Sequence, residues 1–266
     1  MAFEIKDIDE SQAPLLDHLM ELRTRLMRCI VALAIAFGVC FYFVKPIFAF
    51  LVAPLAASFP GGNGRLVYTK LYEAFFVELK VALFAAFILS FPVLANQLWA
   101  FVAPGLYAKE KKAFFPFLIA TPILFLLGAA MAYYVVLPPA LRWLLGFSGQ
   151  VGGLKLEALP STGDYLGLVM QFILAFGISF LLPVLLMLLN RAGLVTREQL
   201  TGARRYVIVA IVAAAALLTP PDVGSQLMLA VPLLILFEGT MVFMWFTEKR
   251  DAKRKAVEEA AEKVVE

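Results

Sequence analysis

The feature that most constrains this chain is a series of apolar runs, most of them long enough to cross a lipid bilayer. A transmembrane helix needs about 20 mostly apolar residues to span ~30 Å of hydrocarbon, and the sequence has six such candidate runs, each bounded by charge or by Gly and Pro. The composition agrees, because 62% of the residues are hydrophobic and 16% are charged, against about 25% charged in soluble domains. We therefore predict an all-α membrane protein with six transmembrane helices.

The predicted spans form one membrane domain, residues 1–246, followed by a charged tail, residues 247–266. We expect a break in the first span near Lys45-Pro46, because proline interrupts helical hydrogen bonding. The tail is typical of a solvated helix or a frayed end, and an anchor to anionic lipid is the alternative. The six spans cover about residues 28–50, 75–101, 113–137, 164–189, 206–218 and 224–246.

The fifth run is unusually short. It has 13 residues, or roughly 20 Å at 1.5 Å per residue, and it ends at Thr219-Pro220-Pro221-Asp222, where the prolines force a turn. Asp222 can cap the sixth helix. We predict that the fifth and sixth helices are short and form a compact hairpin that does not reach fully across the bilayer.

The distribution of Lys and Arg predicts the orientation of the chain. The segments on the face that carries both termini hold 17 of these residues, whereas the segments on the other face hold 5. By the positive-inside rule, both termini are cytoplasmic. The N-terminus is acidic rather than basic, so we expect the first span itself to act as the insertion signal.

The residue types needed for catalysis are scarce. His18 is the only histidine, no cluster has the spacing of metal ligands, and no Gly-rich phosphate loop is present. The serines within the spans, Ser90 and Ser179, have no base in sequence reach. We predict neither an enzyme nor a bound metal or cofactor. Cys29 and Cys40 lie too far apart along one helix to form a disulfide.

Polar residues inside the spans are candidate functional groups because they are costly there. Glu238 lies in the sixth span and Gln171 in the fourth. A functional carboxylate and a protonated or hydrogen-bonded structural one are both open for Glu238, and interhelical bonding is the simpler interpretation of Gln171 and of Gln226. A relay through Glu238 and Gln171 would make the protein an ion- or solute-coupled transporter, which is the alternative function.

Two carboxylates lie in basic segments of the same predicted face. Glu21 occurs in His18-Leu-Met-Glu21-Leu-Arg23-Thr-Arg25, and Glu110 in Pro104-Gly-Leu-Tyr107-Ala-Lys-Glu110-Lys-Lys112. The leucines around Glu21 recur at helical spacing and predict an amphipathic helix that lies at the interface before it turns into the membrane. Glu21 and Arg25 can pair at i,i+4; alternatively, the two carboxylates receive two guanidinium groups through bidentate bonds.

Several motifs in order along the chain resemble the TatC family, the multi-spanning subunit of the twin-arginine protein translocase. The resemblance covers about residues 15–246. It rests on the following segments: His18-Leu-X-Glu21-Leu-Arg23-X-Arg25-Leu26, Ser90-X-Pro92, Gln97-X-Trp99-X-Phe101-X-X-Pro104-X-Leu106-Tyr107-X-X-Glu110, Ala175-Phe-Gly-X-Ser-Phe180 with Pro183, Leu218-Thr219-Pro220-Pro221-Asp222, and Phe237-Glu238.

The resemblance implies a concave wall of six helices in the bacterial cytoplasmic (inner) membrane, working as a receptor for folded cargo proteins with paired arginines in their signal peptides. It implies signal-peptide binding by Glu21, Glu110, Arg23, Pro104 and Tyr107. The implied partners are single-span subunits of the TatA and TatB types, further copies of the chain and the lipid bilayer, with no nucleic acid. The implied driving force is the proton-motive force.

Thr219 and Gln226 match the family's polar docking site for the single-span subunits. The chain departs from the family at Leu181, where many members carry an intramembrane Glu in the fourth helix. Gln171 lies ten residues earlier, about 15 Å along the helix, and is a poor positional replacement. Glu238 is the other candidate for that role.

Overall fold

The protein is predominantly helical, as seen in a computed structural model that describes the backbone of residues 8–59, 64–106, 111–156, 158–191, 195–218 and 222–265. Side chains are described for residues 19–59, 64–101, 117–149, 152–154, 158–190, 195–218 and 222–250. The helices are α1 Ile8–Tyr42, α2 Val44–Ser58, α3 Glu73–Leu106, α4 Lys111–Met131, α5 Leu137–Leu145, α6 Thr162–Ser179, α7 Leu182–Arg191, α8 Arg197–Gly202, α9 Arg204–Leu218 and α10 Val223–Val265.

Five segments of the described chain are long and apolar enough to cross a membrane, so the prediction of a helical membrane protein is confirmed. These segments are Leu19–Tyr42, Glu73–Phe101, Phe117–Leu145, Thr162–Asn190 and Val223–Arg250. The predicted fifth span corresponds to α9, which has 15 residues, or about 22 Å. That length is below what a bilayer requires.

Prolines explain where the first and fourth predicted spans are interrupted. Helix α1 ends at Tyr42, four residues before Pro46, and α6 ends at Ser179, four residues before Pro183. Because proline has no N–H, Pro46 cannot donate to the carbonyl of Tyr42, and Pro183 cannot donate to the carbonyl of Ser179. The break expected near Lys45-Pro46 is found at Phe43, whose N–H still donates to the carbonyl of Val39. Before this break α1 is continuous from Ile8, so the predicted turn between an interfacial helix and the first span is wrong.

The third span extends beyond its predicted end at residue 137. A single π-helical turn, Ala132–Val136, joins α4 to α5, and the N–H of Leu137 donates to the carbonyl of Ala132. Pro138 and Pro139 therefore lie in the first turn of α5, where a missing N–H costs little. The predicted span ended just before this pair, whereas the pair lies in the first turn of a further helix.

The prediction of a short sixth helix is wrong. Helix α10 has 43 residues and continues through most of the charged tail, because the residues after Phe246 are mainly Glu, Lys, Arg and Ala, all good helix formers. Its single internal proline, Pro232, does not end it.

The described chain also contains a short antiparallel hairpin that the sequence prediction missed. Strands β1 Gly149–Val151 and β2 Leu154–Leu156 are joined by Gly152 and Gly153, with φ angles of 60° and 85°. Positive φ at both turn positions matches the twist of a two-residue hairpin, and glycine adopts it without steric cost.

The chain divides into two compact units. Unit 1 comprises Met1–Phe50 and Phe75–Pro122, and unit 2 comprises Leu51–Ala74 and Ile123–Glu266. In unit 1, α1 packs on α3 through a small cluster around Ala36, Cys40 and Ala86. In unit 2, α6 and α10 supply much of the buried core, including Leu166, Phe172, Phe176, Leu229 and Met244. The single membrane domain of residues 1–246 stays a prediction.

Candidate functional sites on the two units

Glu21 lies on α1 and is paired with Arg25 one turn later. Nε and Nη2 of Arg25 both donate to Oε1 of Glu21, at 2.9 and 2.6 Å. The Glu21 side chain remains 38% exposed, and no side chain in the described part of the chain contacts its Oε2. The i,i+4 pair anticipated from the sequence is therefore present, and half of the carboxylate is open.

Arg23 lies on the same helix and is exposed. It lines an open groove along α1 together with Met20, Thr24, Met27 and Arg28. Within the described ranges, Arg23 makes no ion pair. Its side chain is therefore exposed on a groove that neither Glu21 nor Arg25 lines.

The second basic motif follows α3. Pro104 lies in the last turn of α3, without a described side chain, while Tyr107 and Glu110 lie outside the described residues, between the end of α3 at Leu106 and the start of α4 at Lys111. Nε1 of Trp99 donates to Oγ1 of Thr121 at 2.7 Å, which joins α3 to α4 on either side of this segment. All five residues assigned to signal-peptide binding fall in the chain segments of unit 1.

The residues assigned to partner docking fall in unit 2. Asp222 caps α10, since its Oδ1 accepts from the N–H of Ser225 at 2.7 Å, which confirms the predicted cap. Gln226 lies one turn later and donates through Nε2 to the carbonyl of Val212 on α9 at 3.2 Å. Gln226 therefore bonds across the α9–α10 hairpin, and Thr219 lies outside the described residues.

Glu238 has a cationic partner. Nη2 of Arg204, in the first turn of α9, lies 2.6 Å from Oε2 of Glu238 on α10, and both side chains are about half exposed. A second ion pair, Arg197 with Glu248 at 3.2 Å, connects α8 to α10. Of the alternatives left open for Glu238, the geometry favours the structural one, because the carboxylate contacts Arg204 across the two helices.

Gln171 and Glu238 share no hydrogen bond. Gln171 is exposed on α6 and makes no hydrogen bond to any described residue, and Ile178 and Leu182 are exposed further along the same segment. Leu181 lies between α6 and α7 and is half-buried. No acidic side chain of the described chain replaces the family's Glu at that position.

Sequence reasoning missed Glu73, the most heavily hydrogen-bonded carboxylate of the described chain. Its Oε2 accepts from the N–H and Oγ1 of Thr69, at 2.6 and 2.9 Å, and from the N–H of Lys70, at 3.2 Å. Its Oε1 accepts from Oγ of Ser161 at 2.8 Å and from the N–H of Gly163 at 2.9 Å. Of these donors, Thr69 is close enough in sequence to suggest a contact, since it lies four residues before Glu73. Ser161 and Gly163 lie 88 and 90 residues away along the chain.

The cysteines and the possible metal ligands of the described chain form neither a disulfide nor a cluster of ligands. Cys29 and Cys40 are free thiols, which confirms that they do not pair. Among the described residues, no group of three His, Cys, Asp or Glu side chains is placed to hold a metal ion.

Comparison with known proteins decides the family. Residues 17–232 match the family model described as Sec-independent protein translocase protein (TatC). The chain belongs to the TatC family. TatC from Magnetococcus marinus is 46% identical over 251 residues, covering 94% of this chain and 91% of the relative. TatC from Escherichia coli K12 is 38% identical over 237 residues, covering 89% and 90%.

A solved structure agrees with this assignment. The crystal structure of a twin-arginine translocase receptor, TatC, superposes with a TM-score of 0.76 at 40% identity, covering 86% of this chain and 98% of that chain. The resemblance noted in the sequence is therefore confirmed. A TatC-family protein is a membrane-embedded component of a protein translocase rather than an enzyme, and it works with other subunits of that translocase.

Proposed function

We propose that this TatC-family protein is the receptor subunit of a twin-arginine translocase, and that it binds the paired arginines of signal peptides on its cytoplasmic face. The observation that carries the proposal is the open Oε2 of Glu21, on the unit whose chain segments also include the Glu110 motif. Glu110, Arg23, Pro104 and Tyr107 complete the proposed site.

The Glu21–Arg25 pair suits a receptor for guanidinium groups. Because both nitrogens of Arg25 bond to Oε1, they fix the orientation of the carboxylate and leave Oε2 for an incoming arginine. A carboxylate has about four lone-pair sites, so it can accept bonds from two guanidinium groups. Charge-assisted bonds of this kind are roughly twice as strong as neutral ones.

The position of Glu110 supports a second contact. Its segment connects α3 to α4 over only four residues, 107–110, and the Trp99–Thr121 bond joins the two helices. The segment that carries Glu110 therefore follows and precedes helices that are bonded to each other. Two carboxylates on one face would bind two adjacent arginines. Lysines in their place would bind more weakly, because an ammonium group lacks the planar shape that forms bidentate bonds with a carboxylate.

The same proposal includes the arrangement in the membrane. We infer six spans, α9 being the short fifth, in the bacterial inner membrane with both termini in the cytoplasm. The support is the distribution of Lys and Arg, 17 on one face against 5 on the other. A helix as short as α9 would be shielded by neighbours or thin the bilayer around it.

Single-span subunits of the TatA and TatB types are the proposed partners at the α9–α10 hairpin, with Thr219 and Gln226 as the docking residues. Nε2 of Gln226 is engaged by Val212, while its side-chain carbonyl accepts no bond from a described residue. A polar group on a partner helix can donate to that carbonyl. Further copies of the chain complete the assembly, and the proton-motive force drives export.

Gln171 is a second polar contact for a partner helix within the membrane. An exposed amide facing lipid is unsatisfied unless another helix supplies a partner. The alternative function, a transporter with a relay through Gln171 and Glu238, has less support, because Glu238 is paired with Arg204 and Gln171 bonds to no described residue.

The direct test is binding of a twin-arginine signal peptide to the purified protein. We expect Glu21→Gln with Glu110→Gln to lower the affinity more than tenfold, since each charged hydrogen bond is worth about 1.5–3 kcal/mol, and a Lys-Lys peptide to bind more weakly than the Arg-Arg peptide. Glutamine is chosen at position 21 because it still accepts a bond from Arg25.

Glu198→Gln is the matched control, because Glu198 is an exposed carboxylate on the same predicted face. It should leave the affinity unchanged. Equal affinities for the double variant, the control and the unaltered protein would reject the proposed site.

A further inference from the structure

Glu73 joins two segments that are far apart in the sequence. Its Oε2 accepts three hydrogen bonds from residues 69 and 70, just before α3, and its Oε1 accepts two from residues 161 and 163, at the start of α6. All five partners are donors, which is the pattern of an ionised carboxylate, a group that only accepts. We name these five bonds the Glu73 clasp.

Backbone contacts reinforce the clasp. Val67 forms a parallel bridge with Ser161. The N–H of Thr162 donates to the carbonyl of Val67 at 2.9 Å, and the N–H of Val67 donates to the carbonyl of Pro160 at 3.3 Å. Thr162 is 1% exposed. The buried hydroxyl of Tyr165, one turn into α6, donates to the carbonyl of Leu51 at 2.8 Å.

The clasp also determines where α6 begins. The N-cap of α6 is Ser161, whose Oγ accepts from the N–H of Asp164 at 3.4 Å and donates to Oε1 of Glu73. The backbone of Gly163 approaches Glu73 closely, because a Cβ on Gly163 would lie 2.9 Å from Oε1 of Glu73. The cap and the clasp therefore share one serine.

We infer that Glu73 is a positioning residue that holds the segment 64–72 against the start of α6, and that this joint stays closed while the protein transports cargo. The transport part rests on the proposed function. With six spans and both termini in the cytoplasm, the loops after the first and third spans, which form this joint, lie on the opposite face of the membrane. Opening the joint would break the two bonds that Oε1 of Glu73 accepts from Ser161 and Gly163 and the backbone bonds of Val67, while Oε2 would keep its bonds from Thr69 and Lys70. Losing several hydrogen bonds to half-buried groups at once is costly. A part that opens in each transport cycle is not expected to carry such a cost.

The first test follows closure of the joint without using transport. In a background with Cys29→Ser and Cys40→Ala, Thr162→Cys places a thiol at the buried position. We expect Glu73→Ala to speed maleimide labelling of that thiol in detergent by about tenfold or more, because the bonds of the clasp are lost together, and Glu73→Asp to have a smaller effect.

Glu78→Gln is the matched control, since Glu78 lies on the same helix and bonds to no described residue. It should label as slowly as the unaltered protein. Equally slow labelling of Glu73→Ala would overturn the role of Glu73 as the positioning residue.

The second test asks whether the joint opens during transport. Val67→Cys with Ser161→Cys places cysteines on the two residues of the parallel bridge. Paired backbones lie about 4.8 Å apart, which is within the range of Cα separations that a disulfide spans. We expect efficient oxidation and the same export rate in the oxidised and reduced forms. Export that stops on oxidation and returns on reduction would overturn the inference that the joint stays closed.

These outcomes are separable from the proposed function. Labelling and oxidation are read on purified protein, and neither depends on signal-peptide binding or on orientation in the membrane. A pair that does not oxidise would contradict the bridge itself. A protein that labels and oxidises as expected but exports no cargo in either redox state would contradict the transport part of the inference together with the proposed function.

Discussion

At the scale of single residues, three carboxylates are paired with specific donors. Glu21 is paired with Arg25, Glu238 with Arg204, and Glu73 with five donors. The first pair was foreseeable from its i,i+4 spacing. The other two were not, because Arg204 lies 34 residues from Glu238 and the distant donors of Glu73 lie on another helix. Residue spacing reveals local pairs only.

The Arg204–Glu238 pair gives a prediction that separates the two functions. We expect Glu238→Gln to keep export, because the amide carbonyl still accepts a bond from Arg204. Arg204→Glu places two carboxylates together and should lower the thermal unfolding temperature in detergent by about 2–4 °C, corresponding to ~1 kcal/mol for a half-exposed pair.

The charge-swapped variant, Arg204→Glu with Glu238→Arg, is the control and should regain the lost stability. A transporter that relays protons through Glu238 would behave differently. Loss of all transport in Glu238→Gln with unchanged stability would favour that alternative.

At the scale of helices, close contacts depend on glycines in α4 and α6. A Cβ on Gly128 would lie 2.6 Å from the carbonyl oxygen of Phe176, and one on Gly177 would lie 2.6 Å from the ring of Phe125. The two helices therefore approach at two neighbouring points, each with a glycine on one side and a phenylalanine on the other. This is the small-residue packing that membrane helices use in place of a hydrophobic driving force.

Gly177→Ala tests that packing. We expect a loss of about 1–3 kcal/mol through overpacking against Phe125, measured as a lower unfolding temperature in detergent. Gly167→Ala on the same helix is the control, because nothing lies within 4 Å of the position that its Cβ would occupy and the change should be neutral or stabilising by up to ~1 kcal/mol. Equal effects of the two variants would contradict the close approach.

Helix positions were predictable from the sequence where an apolar run meets a clear boundary. The second and fourth spans, predicted at 75–101 and 164–189, were found at Glu73–Phe101 and Thr162–Asn190. The third span continues past its predicted end at residue 137 to Leu145, with Pro138-Pro139 in the first turn of α5. The sixth helix was predicted to be short, whereas α10 continues through most of the charged tail. A proline pair or a loss of hydropathy marks a change of environment, and neither one by itself ends a helix.

At the scale of the whole molecule, the candidate sites separate between the two units. The residues proposed to bind signal peptides belong to segments of unit 1, whereas the hairpin of α9 and α10, with Gln226, belongs to unit 2. Apolar runs and charge distribution predicted the membrane class. The grouping into units could not be predicted, because it depends on contacts between distant segments.

The six-span arrangement gives a prediction about exposure on the two faces. Val223, 71% exposed, is the first residue of α10 and comes after α9 in the chain, whereas Thr201 precedes α9. An impermeant thiol reagent should label Val223→Cys in intact cells and Thr201→Cys only in inverted vesicles, both in the background without native cysteines. Labelling of both positions from the same side would show that α9 does not cross the membrane.

The measurement that tests the central claim most directly is a double-mutant cycle between Glu21 and a signal-peptide arginine. Binding affinities would be measured for the unaltered protein and Glu21→Gln, each with the Arg-Arg peptide and with peptides in which one arginine is replaced by glutamine. Direct contact predicts that the two losses are not additive, with a coupling energy of about 1.5–3 kcal/mol for one of the arginines. Losses that add to within ~0.5 kcal/mol for both arginines would contradict recognition by Glu21.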